Sequence, residues 1–104
     1  MNVNVTTSRK PSIFLRSVLT QLLNHAEDNP GQLVSTRLTN NLKVELIVQR
    51  GQVHLRISRS SAWPSEADWR MVLRHWPYAV ESIPEAVLRE GRCCLEADLP
   101  LYEF

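Results

Sequence analysis

Residues 42–58 alternate between apolar and polar side chains in two runs, which an Arg50-Gly51 dipeptide separates. A period of two predicts β-strands with one apolar face. Gly51 can adopt the positive φ that a tight two-residue turn requires. Such a turn would place Glu45 opposite Arg56, an opposite-charge pair on the polar face. The apolar positions would then face each other across the hairpin: Leu42, Val44, Leu46 and Val48 against Val53, Leu55 and Ile57.

The segment that follows predicts an amphipathic helix. Ser65 is a good N-cap, and Asp68 three residues later can complete a capping box. Pro77 is expected to stop the helix. An apolar stripe with helical spacing would pack on the sheet and consists of Trp69, Val72, Leu73 and Trp76.

The N-terminal part predicts a tail, a helix and a strand. Residues 1–11 are polar and are expected to form a flexible tail, after which Ser12 would cap a helix from Ile13 to about Glu27. The alternation over Leu33–Thr39 predicts a strand that pairs with the hairpin. Matching apolar faces suggests a register with Val34 opposite Val48.

The C-terminal part predicts a short helix and a last strand. Ser82 and Glu85 resemble a capping box and Gly91 a helix stop, so Ile83–Glu90 is interpreted as a helix. Arg92–Leu99 alternates and predicts a strand. Its inward positions would be Cys93, Leu95, Ala97 and Leu99, and its outward positions Arg92, Cys94, Glu96 and Asp98.

The element order is therefore α-β-β-β-α-(short α)-β, which predicts the α+β class. We expect one domain over residues 12–104, with an antiparallel sheet of about four strands and two helices packed on one face.

Composition narrows the function classes. The chain has 104 residues and a net charge of +1, so no strong overall field favours nucleic acid or membrane surfaces. No apolar run approaches the length of a membrane span and no signal peptide is evident. Cys93 and Cys94 are adjacent, and because a vicinal disulfide is strained, two reduced thiols in a cytoplasmic protein are expected.

Catalytic signals are weak. The sequence has no recognisable nucleophile, phosphate-loop or zinc motif, so no metal, cofactor or catalytic residue is assigned. Cys94 lies on the predicted outward face, which leaves a thiol-dependent enzyme as a second alternative.

The favoured hypothesis is a non-enzymatic protein-interaction or accessory module. The second long helix carries Arg70 and Arg74 and is flanked by Trp63 and Tyr78. Trp and Arg are typical of interface hot spots. A protein partner is therefore expected. The sheet edges carry no proline within the predicted strands, so the sequence also allows edge-to-edge pairing in a homo-oligomer.

The alternative hypothesis is nucleic-acid binding through a basic hairpin and helix surface. The residues that would contact phosphates are Arg50, His54, Arg56, Arg70 and Arg74. The order α-β-β-β-α resembles double-stranded-RNA-binding domains in topology alone. Those domains place lysines at the start of the second helix, where this chain has Glu66 and Asp68.

Overall fold

The computed structural model describes residues 11–38, 41–60, 62–78 and 80–101, with side chains from Leu15 onward. Residues 1–10 of the predicted N-terminal tail lie outside these ranges. The elements in chain order are α1 (Pro11–Asp28), β1 (Val34–Arg37), β2 (Leu42–Gln49), β3 (Gln52–Arg59), α2 (Glu66–Arg74), β4 (Glu85–Arg89) and β5 (Arg92–Pro100).

The strands form one antiparallel sheet in the order β1-β2-β3-β5-β4. The predicted α+β class with an antiparallel sheet is confirmed, and the described part of the chain has five strands where about four were expected. β3 and β5 occupy central positions, while β4 and β1 form the two edges.

Both helices cover the same face of the sheet. Their apolar stripes share one buried cluster with the inward residues of the sheet, and the opposite face has no helix over it among the described residues. The helix residues of this cluster are Leu15, Leu19, Leu22, Leu23, Ala26, Trp69 and Val72, and the central strand residues are Val44, Leu46, Val53, Leu55, Ile57 and Leu99.

The β2–β3 hairpin has the predicted register. Val48 lies opposite Val53 and Glu45 opposite Arg56. Arg50 and Gly51 have φ of 54° and 78°, as a tight turn with two left-handed residues requires. Register, apolar face and charge pair were therefore all readable from the alternation.

The predicted pairing of β1 with β2 is wrong by two residues. Val34 lies opposite Leu46 rather than Val48. The predicted register would have put Leu42 in the connecting loop, whereas in the structure Leu42 is fully buried and its carbonyl accepts a 2.7 Å bond from Leu38 N–H. Asn41, with φ of 65°, ends the connection just before the strand. A shift of two residues preserves the faces, so alternation alone cannot detect it.

The predicted short helix over Ile83–Glu90 is also wrong. The segment contains strand β4, which pairs with β5 through a turn at Glu90 and Gly91, whose φ values are 53° and 77°. The proposed Ser82 cap is absent, and the Ser82 carbonyl instead accepts a 3.1 Å bond from Trp69 Nε1. Pairing with β5 has overridden the helix propensity of the Glu, Ala, Leu and Arg residues here.

Helix α1 extends slightly beyond the prediction at both ends. It begins at Pro11, so Ser12 lies inside the helix and is not the N-cap. Proline is well suited to a first helical position, because its fixed φ matches the helix and its missing N–H has no partner there.

The start of α2 follows the prediction closely. Ser65 Oγ accepts from Asp68 N–H at 3.1 Å, and Asp68 Oδ2 accepts from Ser65 N–H at 2.8 Å, which completes the capping box. Arg59 at the end of β3 adds bonds of 2.9 and 2.6 Å to the same carboxylate. The Arg59 guanidinium is the main cause of a lowered pKa for Asp68, because it stabilises the ionised form.

Asp68 therefore joins α2 to the sheet, and its removal tests this role. We expect Asp68→Ala to lower the free energy of unfolding by about 2–4 kcal/mol, since it removes a helix cap and leaves a partly buried guanidinium without these bonds. Glu66→Ala is the matched control, because the Glu66–Arg70 pair is exposed and should contribute at most about 1 kcal/mol. Urea unfolding measures both variants, and equal losses would contradict the assignment.

Candidate functional surfaces

The sheet face without helices carries a network of charged side chains. Glu96 on β5 lies at its centre and is only 4% exposed. Arg89 on β4 donates to its carboxylate from Nε and Nη2 at 2.8 and 3.0 Å. His54 Nε2 lies 2.9 Å from Oε1, and Arg56 Nη1 lies 3.7 Å from Oε2. Side chains of three strands, β3, β4 and β5, are thus joined at Glu96.

The network continues to both sides of Glu96. Arg56 Nε donates to Glu45 Oε1 at 2.7 Å, and Lys43 Nζ lies 3.6 Å from Glu45 Oε2. His54 Nδ1 lies 2.8 Å from Asp98 Oδ1. Because Glu45 and Glu96 each lie between two Lys or Arg side chains, the cationic charges of this network are largely compensated.

Titration of Glu96 reflects these contacts. The Arg89 guanidinium is the largest cause of its lowered pKa, and His54 adds to the effect. Burial acts in the opposite direction, because it penalises the charged form. The carboxylate is therefore ionised in the folded protein at neutral pH.

Cys94 shares this face but is buried. The alternation correctly placed it on the outward side, yet only 2% of the residue is exposed. Its neighbours across the strands are Ser58 and Val87. Burial raises the pKa of the Cys94 thiol, so less thiolate is present at neutral pH than for an exposed cysteine. Both cysteines are free.

The residues of the nucleic-acid hypothesis do not form one surface. Arg56 and His54 belong to the charged network, and Arg50 is exposed at the β2–β3 turn. Arg70 and Arg74 are exposed on α2, which packs on the opposite face of the sheet. The structure thus separates the hairpin cations from the helix cations by the thickness of the sheet.

The predicted partner surface is spread along α2. Trp63 is 49% exposed ahead of the N-terminal end of the helix. Arg70 donates to Glu66 at 2.8 Å, and both side chains are exposed. Tyr78 lies beyond the C-terminal end and packs partly against the core. Arg70 and Arg74 share one helix face, while Trp63 precedes the helix and Tyr78 follows it in the chain.

Basic groups gather at the C-terminal end of α2. Arg16 of α1 approaches the Arg74 carbonyl at 3.5 Å, where the helix dipole favours cations. His75 caps the helix and has a lowered pKa, first because of burial and then because Arg16 and Arg74 repel a further positive charge. His75 is therefore neutral at neutral pH.

Sequence reasoning missed Arg89 and the central position of Glu96. Arg89 was assigned to a helix, so it could not be placed beside β5. The available signal was the Glu90-Gly91 dipeptide, which resembles the Arg50-Gly51 turn of the first hairpin. Each dipeptide lies between two like residues, which form the last pair of the hairpin. Interpreting it as a second hairpin turn would have placed Glu85 opposite Glu96.

Comparison with known proteins adds no identification: no family model, no curated protein and no solved structure matches the chain. Within the described ranges, no group of three or more His, Cys, Asp or Glu side chains is arranged to hold a metal ion. None of the described helices is long and apolar enough to cross a membrane.

The lowered pKa of Glu96 predicts a pH dependence of stability. The ionised carboxylate stabilises the fold above its ordinary pKa of 4.5, and this contribution is lost as the pH falls through the lower folded value. We expect Glu96→Gln to lower the free energy of unfolding by about 1–3 kcal/mol at neutral pH. The variant should also show a weaker dependence of this free energy on pH below about pH 5.

Asp98→Asn is the control for this measurement, because the Asp98 side chain is 60% exposed and bonds only to His54 within the network. Its loss should stay below about 1 kcal/mol. Urea unfolding at a series of pH values gives the profiles. If the free energy of unfolding of Glu96→Gln depended on pH as steeply as that of the wild-type protein, the buried carboxylate would not be the source of the pH dependence.

Burial of Cys94 predicts slow thiol chemistry. In a Cys93→Ser variant, we expect an aromatic disulfide reagent to label Cys94 at least about a hundredfold more slowly than a free cysteine, because the thiol is both covered and protonated. Unfolding in urea should remove the protection. A Cys94→Ala variant reports Cys93, which is partly exposed. Fast labelling of native Cys94 would instead support the thiol-dependent alternative.

Proposed function

We propose that the chain is a non-enzymatic protein-interaction module whose contact surface is centred on Trp63. The observation that carries this proposal is the exposure of Trp63, which leaves half of a large aromatic side chain in water. Tryptophan and arginine are enriched among residues that dominate binding energies, because they bury a large area and combine apolar with polar contacts. Trp63 precedes a helix that presents Arg70 and Arg74.

The backbone around Trp63 is well anchored. The adjacent Pro64 is buried, and Ser65 begins the capping box that Asp68 completes. Arg59 fixes Asp68 to the end of β3 on the other side of the Trp63 segment. A segment whose backbone is already anchored loses less conformational entropy on binding, which favours affinity.

The helix cations complement such an anchor. The Arg70–Glu66 pair is exposed, and pairs of this kind contribute little to stability. Arg70 can therefore exchange Glu66 for a carboxylate of a partner at small cost. Together with exposed Arg74, this chemistry suits a protein that offers an apolar pocket for Trp63 beside acidic side chains.

Nucleic-acid binding is the competing proposal, and the geometry supports it less well. Arg56 and His54 are already matched by Glu45, Glu96 and Asp98. A phosphate backbone would have to displace these carboxylates before it gained the charge interactions that drive such binding. We further propose a cytoplasmic location, where the two adjacent thiols would remain reduced.

The test is affinity capture from a lysate of the native host, with nuclease treatment and at low and high salt. We expect a protein to be retained after nuclease treatment and its recovery to fall at least about tenfold on Trp63→Ala, with a smaller loss for Arg74→Glu. Recovery that disappears with nuclease would favour the nucleic-acid alternative.

Leu33→Ala is the matched control for Trp63→Ala. Leu33 is also 49% exposed, but it lies beside Ile47 on the sheet face without helices. Its removal should leave recovery unchanged. Thermal unfolding should show that all variants remain folded, so that a loss of recovery reports the surface. Unchanged recovery for Trp63→Ala would contradict the proposed contact surface.

A further inference from the structure

The outer side of β4 is an open sheet edge with apolar side chains. No described strand pairs with it there. Leu88 is 67% exposed, and Ile83, just ahead of the strand, is 93% exposed, more than any other large hydrophobic residue that the structure describes. Open edges of this kind pair readily with a further strand.

The β4–β5 hairpin determines which backbone groups face outward. Arg89 and Arg92 flank a two-residue turn and form the pair that exchanges two backbone hydrogen bonds. Bonded and non-bonded pairs alternate along an antiparallel ladder. The N–H and C=O groups of Ala86 and Leu88 therefore point away from β5 and are available to another strand.

Only one antiparallel register of β4 with a second copy of itself uses all of these groups. It places Ala86 opposite Leu88 of the second copy and gives two bonded pairs across the interface. Shifting the register by two residues in one direction brings Pro84, which has no N–H, into a bonding position. A slide in the other direction brings in Glu90, which the turn holds at a φ of 53°.

Side chains are complementary in this same register. Glu85 lies opposite Arg89 of the second copy, and the arrangement occurs twice because the pairing is symmetric. Arg89 donates Nε and Nη2 to Glu96, which leaves the Nη1 donors for that carboxylate. On the helix side, Ala86 covers the exposed part of Leu88. Val87 meets Val87 at the two-fold axis.

We propose that the protein forms a symmetric homodimer in which β4 pairs with β4 and the two sheets become one continuous sheet. This interface is separate from the Trp63 surface and does not depend on it. The opposite edge, β1, exposes Ser35 and Arg37 and contains no acidic residue, so it lacks the opposite charges. Because β4 is short, we expect a dissociation constant on the order of tens of micromolar.

Analytical ultracentrifugation of the full chain tests the dimer over about 5 to 500 μM. Ala86→Pro removes an N–H that faces outward, so the hairpin keeps its own bonds while the dimer loses one bond from each copy. We expect the dissociation constant of the dimer to rise at least about tenfold. Ser35→Pro makes the equivalent change at the other edge and should leave the dimer intact. A monomer at every concentration, or sensitivity to Ser35→Pro alone, would overturn the proposal.

Cross-linking tests the register separately. In a Cys93→Ser, Cys94→Ala background, Val87→Cys should form a disulfide-linked dimer on mild oxidation, since a non-bonded pair brings the two Cβ atoms within bonding reach. Leu88→Cys should cross-link at least about tenfold more slowly, because Leu88 faces Ala86 of the second copy rather than its own equivalent. Faster cross-linking at Leu88 would show a different register and overturn the one proposed here.

Discussion

One constraint governs the rest of the structure: within the part of the chain that the structure describes, helices cover only one face of the sheet. In the middle of β3 and β5, alternate residues contribute to the apolar core, and the residues between them face away from both helices. Those residues include Arg56, Glu96 and His54, which lie side by side on adjacent strands. Charges brought this close must compensate one another, because a partly desolvated charge without a partner is costly. The ionic network is the consequence.

Alternation predicted the central hairpin well because local turn chemistry and apolar periodicity agree there. The C-terminal hairpin has the same turn, a residue with positive φ followed by glycine, yet its first strand was interpreted as a helix. The difference lies in the flanking residues. β2 and β3 are rich in Val and Ile, whereas β4 consists of Glu, Ala, Val, Leu and Arg, most of which favour helices. Only pairing with β5 decides its conformation, and that information is not local.

The same nonlocal contact explains why the chemistry of β5 was only half predictable. The alternation placed Cys94 and Glu96 on the correct face, since side-chain direction depends only on the strand itself. Their burial depends on β4, which brings Val87 opposite Cys94 and Arg89 next to Glu96. A strand at the edge of the sheet would have left both residues exposed. Exposure is therefore the property that sequence reasoning misjudged, and the second alternative, a thiol-dependent enzyme, had taken the outward position of Cys94 as exposure.

Signs of charge alternate along the network from one side of the sheet to the other. The order runs from Lys43 and Glu45 on β2 through Arg56 on β3 and Glu96 on β5 to Arg89 on β4. Each inner member has opposite charges on both sides. Arg89 is the last member and its side chain is 53% exposed, so the alternation ends on a cation at an open edge. In a symmetric pairing of β4, Glu85 of the second copy would supply the next negative charge, and the network of one sheet would continue into the other. The same residues that compensate charge within the chain thus define the chemistry with which its edge meets a copy of itself.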